Sequence, residues 1–369
     1  MLRYQTTGFS GYGVQYSPFY DNVLAVSTGS NFGLVGNGKL FVLEINGNGS
    51  IQEKNSFLTK DNLFDVAWNE LKANQVLVAQ GDGSLRLFDI SLQQYPIAIF
   101  QEHQKEVYSC NWNLIDKTNF VSSSWDGQVK IWTPERRNSM ATFIPHPVEV
   151  TSVLERLPEA TSRDKRVPNQ TTQNKNCVYQ AQYSPHSANL VMCCAGNSYI
   201  TLFDLRQDPR NNQNSFLAHQ GRGVLSVDFN KYRPNIIASS GVDNSISIWD
   251  IRMLTTSNQY LGKTSPMLIN DIPNAHDLAV KKVCWSPHHS DILLSTSYDM
   301  TCKIWKDLSV SNNSPTGKTN GSHISKGCIA NFKHHSEFVF GADWSLWGIP
   351  GYIATTGWDG NVFIWNGLS

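Results

Sequence analysis

Apolar and polar positions alternate in short segments along the whole chain, and no segment shows the 3.6-residue period of an amphipathic helix. One type of segment begins at a turn residue, Asp or Asn, and continues as an alternating strand with a bulky residue six positions after the turn. Seven segments follow this pattern: GNGKLFVLE (36–44), GDGSLRLFD (81–89), WDGQVKIWT (125–133), GNSYITLFD (196–204), VDNSISIWD (242–250), YDMTCKIWK (298–306) and WDGNVFIWN (358–366). The pattern predicts an all-β fold built from seven repeats.

A second type of strand, carrying one aromatic residue, precedes each of these segments. Its seven copies are GVQYSP, DVAWNE, SCNWNL, QAQYSP, SVDFNK, KVCWSP and GADWSL. The spacing from this aromatic residue to the bulky residue of the next segment is 20 residues in five copies, 27 in the first and 21 in the last. Repeats of about 40–45 residues with a Trp-Asp ending are typical of WD40 blades, so we predict a seven-bladed WD40 β-propeller.

The two ends of the chain predict how the ring of blades closes. The last repeat stops after its third strand, whereas a four-stranded blade needs one more. Residues 2–6 are predicted to supply that strand, which removes an exposed edge and makes residues 1–369 a single propeller domain. Three segments rich in Asn, Ser, Thr, Lys and Pro, at about 134–175, 253–274 and 307–332, are predicted as partly disordered surface loops.

Four repeats contain the residue types of a Ser-His-Asp hydrolase. In each, a Ser or Thr lies four positions before the turn Asp, and a Trp lies six positions after it. The four sets are His103, Ser122, Asp126 and Trp132; His219, Ser239, Asp243 and Trp249; His276, Ser295, Asp299 and Trp305; and His335, Thr355, Asp359 and Trp365. A catalytic site needs one exposed nucleophile and one base, not four copies. We therefore predict a repeated structural network, in which His bridges the hydroxyl and the Asp while Trp donates from its indole, and no enzymatic activity.

Composition narrows the classes of partner. The chain has 30 basic and 30 acidic residues, so no overall charge attracts it to nucleic acid or to an anionic membrane. Its seven cysteines form no C-x-x-C pair, which argues against a zinc ribbon and for a reducing compartment. No segment approaches the ~20 apolar residues that a membrane helix needs. We expect an intracellular protein without a metal, a cofactor, a nucleic-acid partner or direct membrane insertion.

The residue immediately before each turn Asp or Asn is expected to point toward one face of the propeller. In three repeats this residue is aromatic: Trp125, Tyr298 and Trp358. Two interpretations remain open. Each ring covers its own turn, or the three exposed rings together form an apolar surface on which a partner docks.

Further aromatic and acidic residues lie just before or at the start of the first strand of the blades, toward the same face. They are Tyr12, Asp61, Phe64, Glu106, Tyr108, Tyr179, Phe338 and Phe340. The two acids belong to the second and third repeats. This combination suits an amphipathic helix with a basic residue at one end, which a carboxylate would bind by a charge-assisted pair. Alternatively, Asp61 and Glu106 are solvated loop charges.

Longer strings resemble one family of WD40 proteins. GFSGYGVQYSPFYDNVLAV, NKNCVYQAQYSPH, KKVCWSPHHSDILLSTSYDMTCKIW and HSEFVFGADWSLWGIPGYIATTGWDGNVFIWNGLS are similar to the receptors for the type-2 peroxisomal targeting signal, in their fungal form. The resemblance covers nearly the whole chain and fades around 156–175 and 307–327. It implies an import receptor that shuttles between the cytoplasm and the peroxisome (its matrix or its membrane).

The resemblance also implies the partners of such a receptor. The cargo signal is an N-terminal amphipathic helix with an Arg/Lys-Leu start and a His-Leu-type end, and a co-receptor peroxin closes over it and links the complex to the peroxisomal docking complex. By blade register, Asp61 and Glu106 would face the basic residue of the signal, and Trp125, Tyr298 and Trp358 would meet its apolar stripe or the co-receptor. The alternative function is a general WD40 scaffold, such as a substrate adaptor in a ubiquitin ligase or chromatin complex.

Overall fold

The computed structural model describes residues 1–92, 95–145, 177–208, 212–255, 266–310 and 327–369. The strands form seven antiparallel sheets of four, which are the seven predicted blades. The innermost strands of consecutive blades pack against each other, and that of blade one also packs against that of blade seven, which closes the ring. The only helical segments of the described residues are the single turn α1 (Arg252–Thr255) and three short 3-10 turns, Asn31–Gly33, His219–Gly221 and Leu308–Val310.

The strands of each blade run outward from the central channel in chain order. Blade one holds β2 (Ser10–Tyr16), β3 (Val23–Gly29), β4 (Gly38–Ile45) and β5 (Ile51–Thr59). Blade two holds β6 (Leu63–Trp68), β7 (Gln75–Gln80), β8 (Ser84–Asp89) and β9 (Ala98–Gln101). Blade three holds β10 (Val107–Trp112), β11 (Phe120–Ser124), β12 (Val129–Trp132) and β13 (Ala141–Phe143). Blade four holds β14 (Val178–Ser184), β15 (Ser187–Ala195), β16 (Tyr199–Asp204) and β17 (Gln213–Leu217).

The remaining three blades follow the same order, apart from the outer strand of the last. Blade five holds β18 (Val224–Phe229), β19 (Ile236–Gly241), β20 (Ile246–Asp250) and β21 (Met267–Ile272). Blade six holds β22 (Val280–Trp285), β23 (Ile292–Ser297), β24 (Cys302–Lys306) and β25 (Cys328–Phe332). Blade seven holds β26 (Val339–Trp344), β27 (Tyr352–Gly357), β28 (Asn361–Asn366) and, as its outer strand, β1 (Leu2–Gln5).

The N-terminal strand completes the last blade, as predicted. β1 pairs antiparallel with β28, with Leu2 opposite Ile364 and Gln5 opposite Asn361. The guanidinium of Arg3 adds a side-chain hydrogen bond of 2.8 Å from Nε to Oδ1 of Asn361. The two ends of the chain therefore hold each other in place, and the edge of β28 is covered.

The recurrent bulky residues fill the space between blades. Trp68, Trp132, Trp285 and Trp344 are among the largest fully buried side chains of the described residues. Each tryptophan buries roughly 150–250 Å², which corresponds to about 4–6 kcal/mol of gross hydrophobic burial. Trp249, the equivalent of Trp132 in blade five, is only partly buried and packs against Phe216.

Polar side chains of the innermost strands join neighbouring blades around the channel. The carboxylates of Asp65, Asp228 and Asp343 accept hydrogen bonds from backbone N–H groups of the next blade, at 3.0 Å from Cys110, 2.7 Å from Trp285 and 2.8 Å from Tyr16. Burial raises the pKa of Asp343 to about 6. The channel is thus lined by polar groups that hold the blades in register.

The His-Ser/Thr-Asp-Trp sets form hydrogen-bond networks inside their blades, as predicted. In blade three, His103 binds Asp126 through Nδ1 at 2.9 Å and Ser122 through Nε2 at 2.8 Å, and Trp132 donates to the same Ser122 hydroxyl at 2.8 Å. The sets of blades five and six repeat these contacts with distances of 2.7–2.9 Å. Ser122, Ser239, Ser295 and Thr355 are all 0% exposed, so no substrate reaches these hydroxyl groups.

Blade seven departs from this prediction at its tryptophan. His335 binds Asp359 and Thr355 as expected, at 3.0 Å each. The indole Nε1 of Trp365, however, is buried and has no hydrogen-bond partner among the described residues. Thr carries a methyl group at Cβ that Ser lacks, which restricts the direction of its hydroxyl. Trp365 instead stacks on Phe332, with ring centroids 4.5 Å apart.

The three segments predicted as surface loops contain the outer strands of their blades. β13 lies within 134–175, β21 within 253–274 and β25 within 307–332, so the prediction of continuous loops is wrong at these strands. Their residues are mostly exposed or partly exposed, because each strand covers the outer edge of a sheet, and they therefore lack the apolar alternation of inner strands. Residues 146–176, 256–265 and 311–326 of these segments lie outside the described residues.

Candidate functional site

Each innermost strand contains a β-bulge near its start, at the same position in all seven blades. The register of pairing skips one residue in β2, β6, β10, β14, β18, β22 and β26. The bulged residues are Tyr12, Phe64, Tyr108, Tyr179, Leu225, Lys281 and Phe340. A bulge turns a side chain away from the direction that regular pleating would give it. All seven side chains line one cavity at a single end of the central channel.

Five of the bulged residues are aromatic, and their rings form a continuous chain across blades four, three, two, one and seven. Tyr12 lies between two of these rings, with ring centroids 5.2 Å from Phe64 and 5.1 Å from Phe340. Tyr108 continues the chain at 5.3 Å from Phe64 and 5.7 Å from Tyr179. Burial raises the pKa of Tyr179 to about 12 and that of Tyr108 further, so both phenols remain protonated at neutral pH.

The aromatic residues before the turns pack onto this chain of rings. Trp125 stacks on Tyr108 at 5.1 Å, and also contacts Phe64 of blade two and Tyr179 of blade four. Trp125 therefore contacts rings of two neighbouring blades in addition to the turn of its own blade.

Blades six and seven extend the surface in the same way. Trp358 stacks on Phe340 at 5.1 Å with planes 11° apart, and Tyr298 lies 5.3 Å from Phe340. Phe338 bridges Tyr298 and Trp358, at 5.1 Å from each. We call the combined surface the aromatic floor; it consists of Tyr12, Phe64, Tyr108, Trp125, Tyr179, Tyr298, Phe338, Phe340 and Trp358.

The exposure of the floor differs from the sequence-based prediction. Trp125, Tyr298 and Trp358 are partly buried rather than exposed, because each packs against the bulged rings. Tyr12 and Phe340 are buried. The floor is therefore a packed layer of rings that is only partly exposed to solvent. A partner can contact it without any of these rings first moving out of the core.

The two predicted acids lie separately at the side of the floor. The Asp61 carboxylate accepts a hydrogen bond from the backbone N–H of Asn62 at 2.7 Å. It also packs closely against Gly81: a Cβ atom at position 81 would lie only 2.9 Å from Oδ1 of Asp61. The backbone carbonyl of Glu106 accepts from Trp125 N–H at 3.1 Å, which fixes Glu106 beside the floor. Within the described part of the chain, the Glu106 carboxylate has no hydrogen bond or ion pair, and no such contact joins it to Asp61.

Lys281 is a site residue that sequence reasoning missed. It occupies the bulge position of blade six, and its ammonium lies 4.6 Å from the ring centroid of Tyr108 and 5.4 Å from that of Phe340. Burial lowers the pKa of this ammonium. The sequence does contain a signal for it: Lys281 lies four positions before the strand aromatic Trp285, as Tyr12, Phe64, Tyr108, Tyr179 and Phe340 do in their blades.

A loop of blade one was also missed. In this loop, the ring centroid of Phe32 lies 5.4 Å from that of Trp358. Gly33 packs directly on Tyr12, since a Cβ atom at position 33 would lie only 2.2 Å from the Tyr12 hydroxyl. Phe32 itself has φ of 54°, a left-handed conformation that is strained for a bulky residue. At the tip of this loop, Leu34 is 85% exposed. The spacing of 27 rather than 20 residues in the first repeat marked this insertion, but not its position on the floor.

No group of three or more His, Cys, Asp or Glu side chains in the described residues is arranged to hold a metal ion. Nor does the described part of the chain contain a helix with the length and apolarity required to cross a membrane. The aromatic floor combines an apolar surface of packed rings with the ammonium of Lys281 among them and the unpaired carboxylate of Glu106 at its side, which suits it to bind an amphipathic partner.

Comparison with known proteins gives matches over the propeller repeats. A family model described as "WD domain, G-beta repeat" matches residues 94–133 and 326–366, and one described as "EIPR1 beta-propeller" matches residues 152–305. Among individual proteins, the peroxisomal targeting signal 2 receptor of Saccharomyces cerevisiae is 60% identical over 100% of both chains. That of Komagataella phaffii is 44% identical over 99% of both chains. Peroxisome biogenesis protein 7 of Arabidopsis thaliana is 42% identical over 36% of this chain and 43% of its own length.

Proposed function

The chain belongs to the family of peroxisomal targeting signal 2 receptors, and we propose that it binds the N-terminal targeting signal of peroxisomal matrix proteins on the aromatic floor. It is accordingly a targeting receptor on a WD40 propeller and not an enzyme. This assignment confirms the resemblance that was drawn from the sequence strings of blades one, four, six and seven.

The observation that supports this proposal is the continuity of the floor. Nine aromatic residues from six blades form one apolar surface, with the unpaired carboxylate of Glu106 beside it. A nine-residue helix is about 13 Å long at 1.5 Å per residue. Such a helix can lay an apolar stripe across the floor while a basic residue near its first turn reaches an acid at the side.

Asp61 and Glu106 have different parts in this arrangement. The Glu106 carboxylate has no partner among the described residues and is free to pair with an Arg or Lys of the signal. The Asp61 carboxylate accepts hydrogen bonds from Asn62 through Oδ1, so it adds charge near the same end of the helix with one oxygen already engaged. A charge-assisted pair with Glu106 would fix the register of the signal more than it would add affinity.

The proposal includes the partners that act after cargo binding. A co-receptor peroxin covers the bound helix, since a helix lying on a flat floor leaves its opposite face in solvent. The complex then moves from the cytoplasm to the peroxisomal docking complex. The exposed Leu34 and its neighbour Val35, which is 69% exposed, extend the apolar surface upward at blade one, where such a cover would meet the receptor.

A binding experiment distinguishes this receptor from a general WD40 scaffold. A nonapeptide that begins Arg-Leu and ends His-Leu is immobilised beside a variant in which Arg is replaced by Glu, and the full chain is applied with and without co-receptor. We expect retention by the first peptide and at least tenfold weaker retention by the second, because Glu would face Glu106. Equal retention would contradict the receptor proposal and favour a scaffold that does not read this sequence.

A further inference from the structure

We propose that Lys281 fixes the direction of the bound signal helix by donating hydrogen bonds to the carbonyl oxygens of its last turn. This inference rests on the proposed function and adds a residue that determines specificity at the same site. Four observations carry it: the position of Lys281 in the ring of bulges, its surroundings, the absence of a hydrogen bond or ion pair to its ammonium within the described residues, and its place at the channel mouth, away from the acids at the side of the floor.

The first observation is that Lys281 occupies the bulge position of its blade. In six blades the bulged residue at the channel mouth is aromatic or Leu, and in blade six it is Lys281. The bulge aims this side chain into the mouth rather than along the sheet. A lysine there places a full charge at a position that carries an uncharged side chain in the six other blades.

The second observation is that the surroundings only partly compensate this charge. The ammonium faces the rings of Tyr108 and Phe340, whose π-electrons attract a cation. Rings accept no conventional hydrogen bond, however, whereas an ammonium has three N–H donors. The group is partly buried and has lost some of its hydration, so donors remain for a ligand.

The third observation is the absence of an anionic partner within the described residues. Lys281 has no ion pair and no hydrogen bond there. Asp65, the acid that lines the same cavity, attracts the ammonium groups of Lys281 and Lys282 but is hydrogen-bonded to neither, and it accepts a hydrogen bond from the backbone N–H of Cys110 at 3.0 Å. A partly buried cation without a partner is costly to a fold, and such costs are typical of binding sites.

The fourth observation is the placement of charge across the floor. The acids Asp61 and Glu106 lie at the side of the floor in blades two and three, whereas the ammonium of Lys281 reaches from blade six to the channel mouth, between the rings of Tyr108 in blade three and Phe340 in blade seven. A helix carries a partial positive charge at its N-terminus and a partial negative charge at its C-terminus, where four carbonyl groups lack intrahelical partners. A helix whose basic first turn lies at the acids therefore directs its last turn toward Lys281.

The test compares Lys281→Met with Lys281→Arg in the full chain with co-receptor, using the nonapeptide in a fluorescence-anisotropy titration. Met keeps the length of the side chain and removes its donors, so we expect at least tenfold weaker binding. Arg keeps the charge and the donors, and should retain affinity within about threefold. The unfolding midpoint of Lys281→Met should equal or exceed that of the wild type, because a partly buried charge is removed. Equal affinity of Lys281→Met and wild type would overturn the inference.

Extended peptides test the direction itself. One Glu or one Lys is added after the last residue of the nonapeptide, or before its first residue. With wild-type receptor, we expect the C-terminal Glu to strengthen and the C-terminal Lys to weaken binding, and Lys281→Met to abolish this difference. A difference that survives in Lys281→Met would overturn the assigned direction. Failure of wild-type receptor to prefer the nonapeptide over its Arg-to-Glu variant would instead contradict the proposed function itself, so the two failures are distinguishable.

Discussion

The hydrogen-bond networks and the aromatic floor meet at adjacent residues of the same turns. In blades three, six and seven, the pairs are Trp125–Asp126, Tyr298–Asp299 and Trp358–Asp359. The Asp carboxylate turns inward to a buried His of its own blade, while the preceding ring contacts a ring of a neighbouring blade on the floor. One residue thus separates a group that stabilises a blade from a group that forms the proposed binding surface.

This contrast shows why residue types alone mislead. Ser, His and Asp suggested chemistry, but their polar atoms are used within the blade. Burial alone would raise the pKa of Asp299, yet the hydrogen bond from His276 and the charge of that ring hold it well below its usual range. The aromatic residues before the turns left two interpretations open from the sequence, and in the structure their rings contact those of neighbouring blades.

The largest expected effect is on stability, from removing an imidazole of a network. His276→Ala removes one hydrogen-bond partner from the buried Ser295 hydroxyl and one from Asp299 and opens a cavity, so we expect the free energy of unfolding to fall by about 3 kcal/mol. Denaturant titration measures this loss. Signal affinity of the folded variant should stay near wild type. A variant as stable as wild type would contradict the structural role of the network.

The next effect is on binding, from removing a ring of the floor. Trp358→Ala deletes the ring that contacts Phe340, Phe338 and Phe32, and we expect a loss of about 2 kcal/mol, or roughly thirtyfold, in affinity for the nonapeptide. Isothermal titration with the co-receptor present measures it. Phe143→Leu, in the outer strand of blade three, serves as a control far from the floor. Equal affinity of Trp358→Ala and wild type would exclude this ring from the site.

A smaller effect should follow from reversing a charge at the side of the floor. Glu106→Lys places a cation beside the basic residue of the signal, and we expect about tenfold weaker binding that becomes less marked at high salt. Glu106→Gln should show a smaller loss. Folding should be unaffected, since the carboxylate has no partner within the described residues. Full affinity of Glu106→Lys would remove Glu106 from the site.

The smallest effect separates two tryptophans that look equivalent in sequence. Trp305 donates from Nε1 to Ser295 at 2.8 Å, whereas Nε1 of Trp365 has no partner among the described residues. Trp305→Phe should therefore cost about 1 kcal/mol more stability than Trp365→Phe, which is the net worth of one hydrogen bond. Thermal unfolding of both variants measures the difference. Equal losses would contradict the unpaired state of Trp365.

The sequence predicted the features that repeat. The number of blades, the closing strand and three of the four complete networks follow from fixed spacings, because the same local geometry recurs in each blade. The aromatic residues of the floor were also found, since blade register places them at equivalent positions.

Features that occur in one blade were not predictable in the same way. Lys281 occupies a position that is aromatic or leucine in the other six blades. The sequence does not show that this position forms a bulge whose side chain points into the channel mouth. Phe32 lies in an insertion that folds back over Tyr12 because Asn31, Phe32 and Gly33 have positive φ, and the sequence does not predict such a conformation for a phenylalanine. Trp365 differs from its counterparts through one methyl group of Thr355. The outer strands of blades three, five and six are too exposed to show alternation.

The most direct test of the central claim compares two substitutions in one blade, Trp125→Ala on the floor and Ser122→Ala in the network. For each variant, affinity for the nonapeptide and free energy of unfolding are measured under the same conditions. We expect Trp125→Ala to lose roughly thirtyfold in affinity with the smaller loss of stability, and Ser122→Ala to keep its affinity while losing about 2 kcal/mol of stability. Wild-type affinity in Trp125→Ala, or a loss of affinity in folded Ser122→Ala as large as that of Trp125→Ala, would contradict the separation of binding from stability.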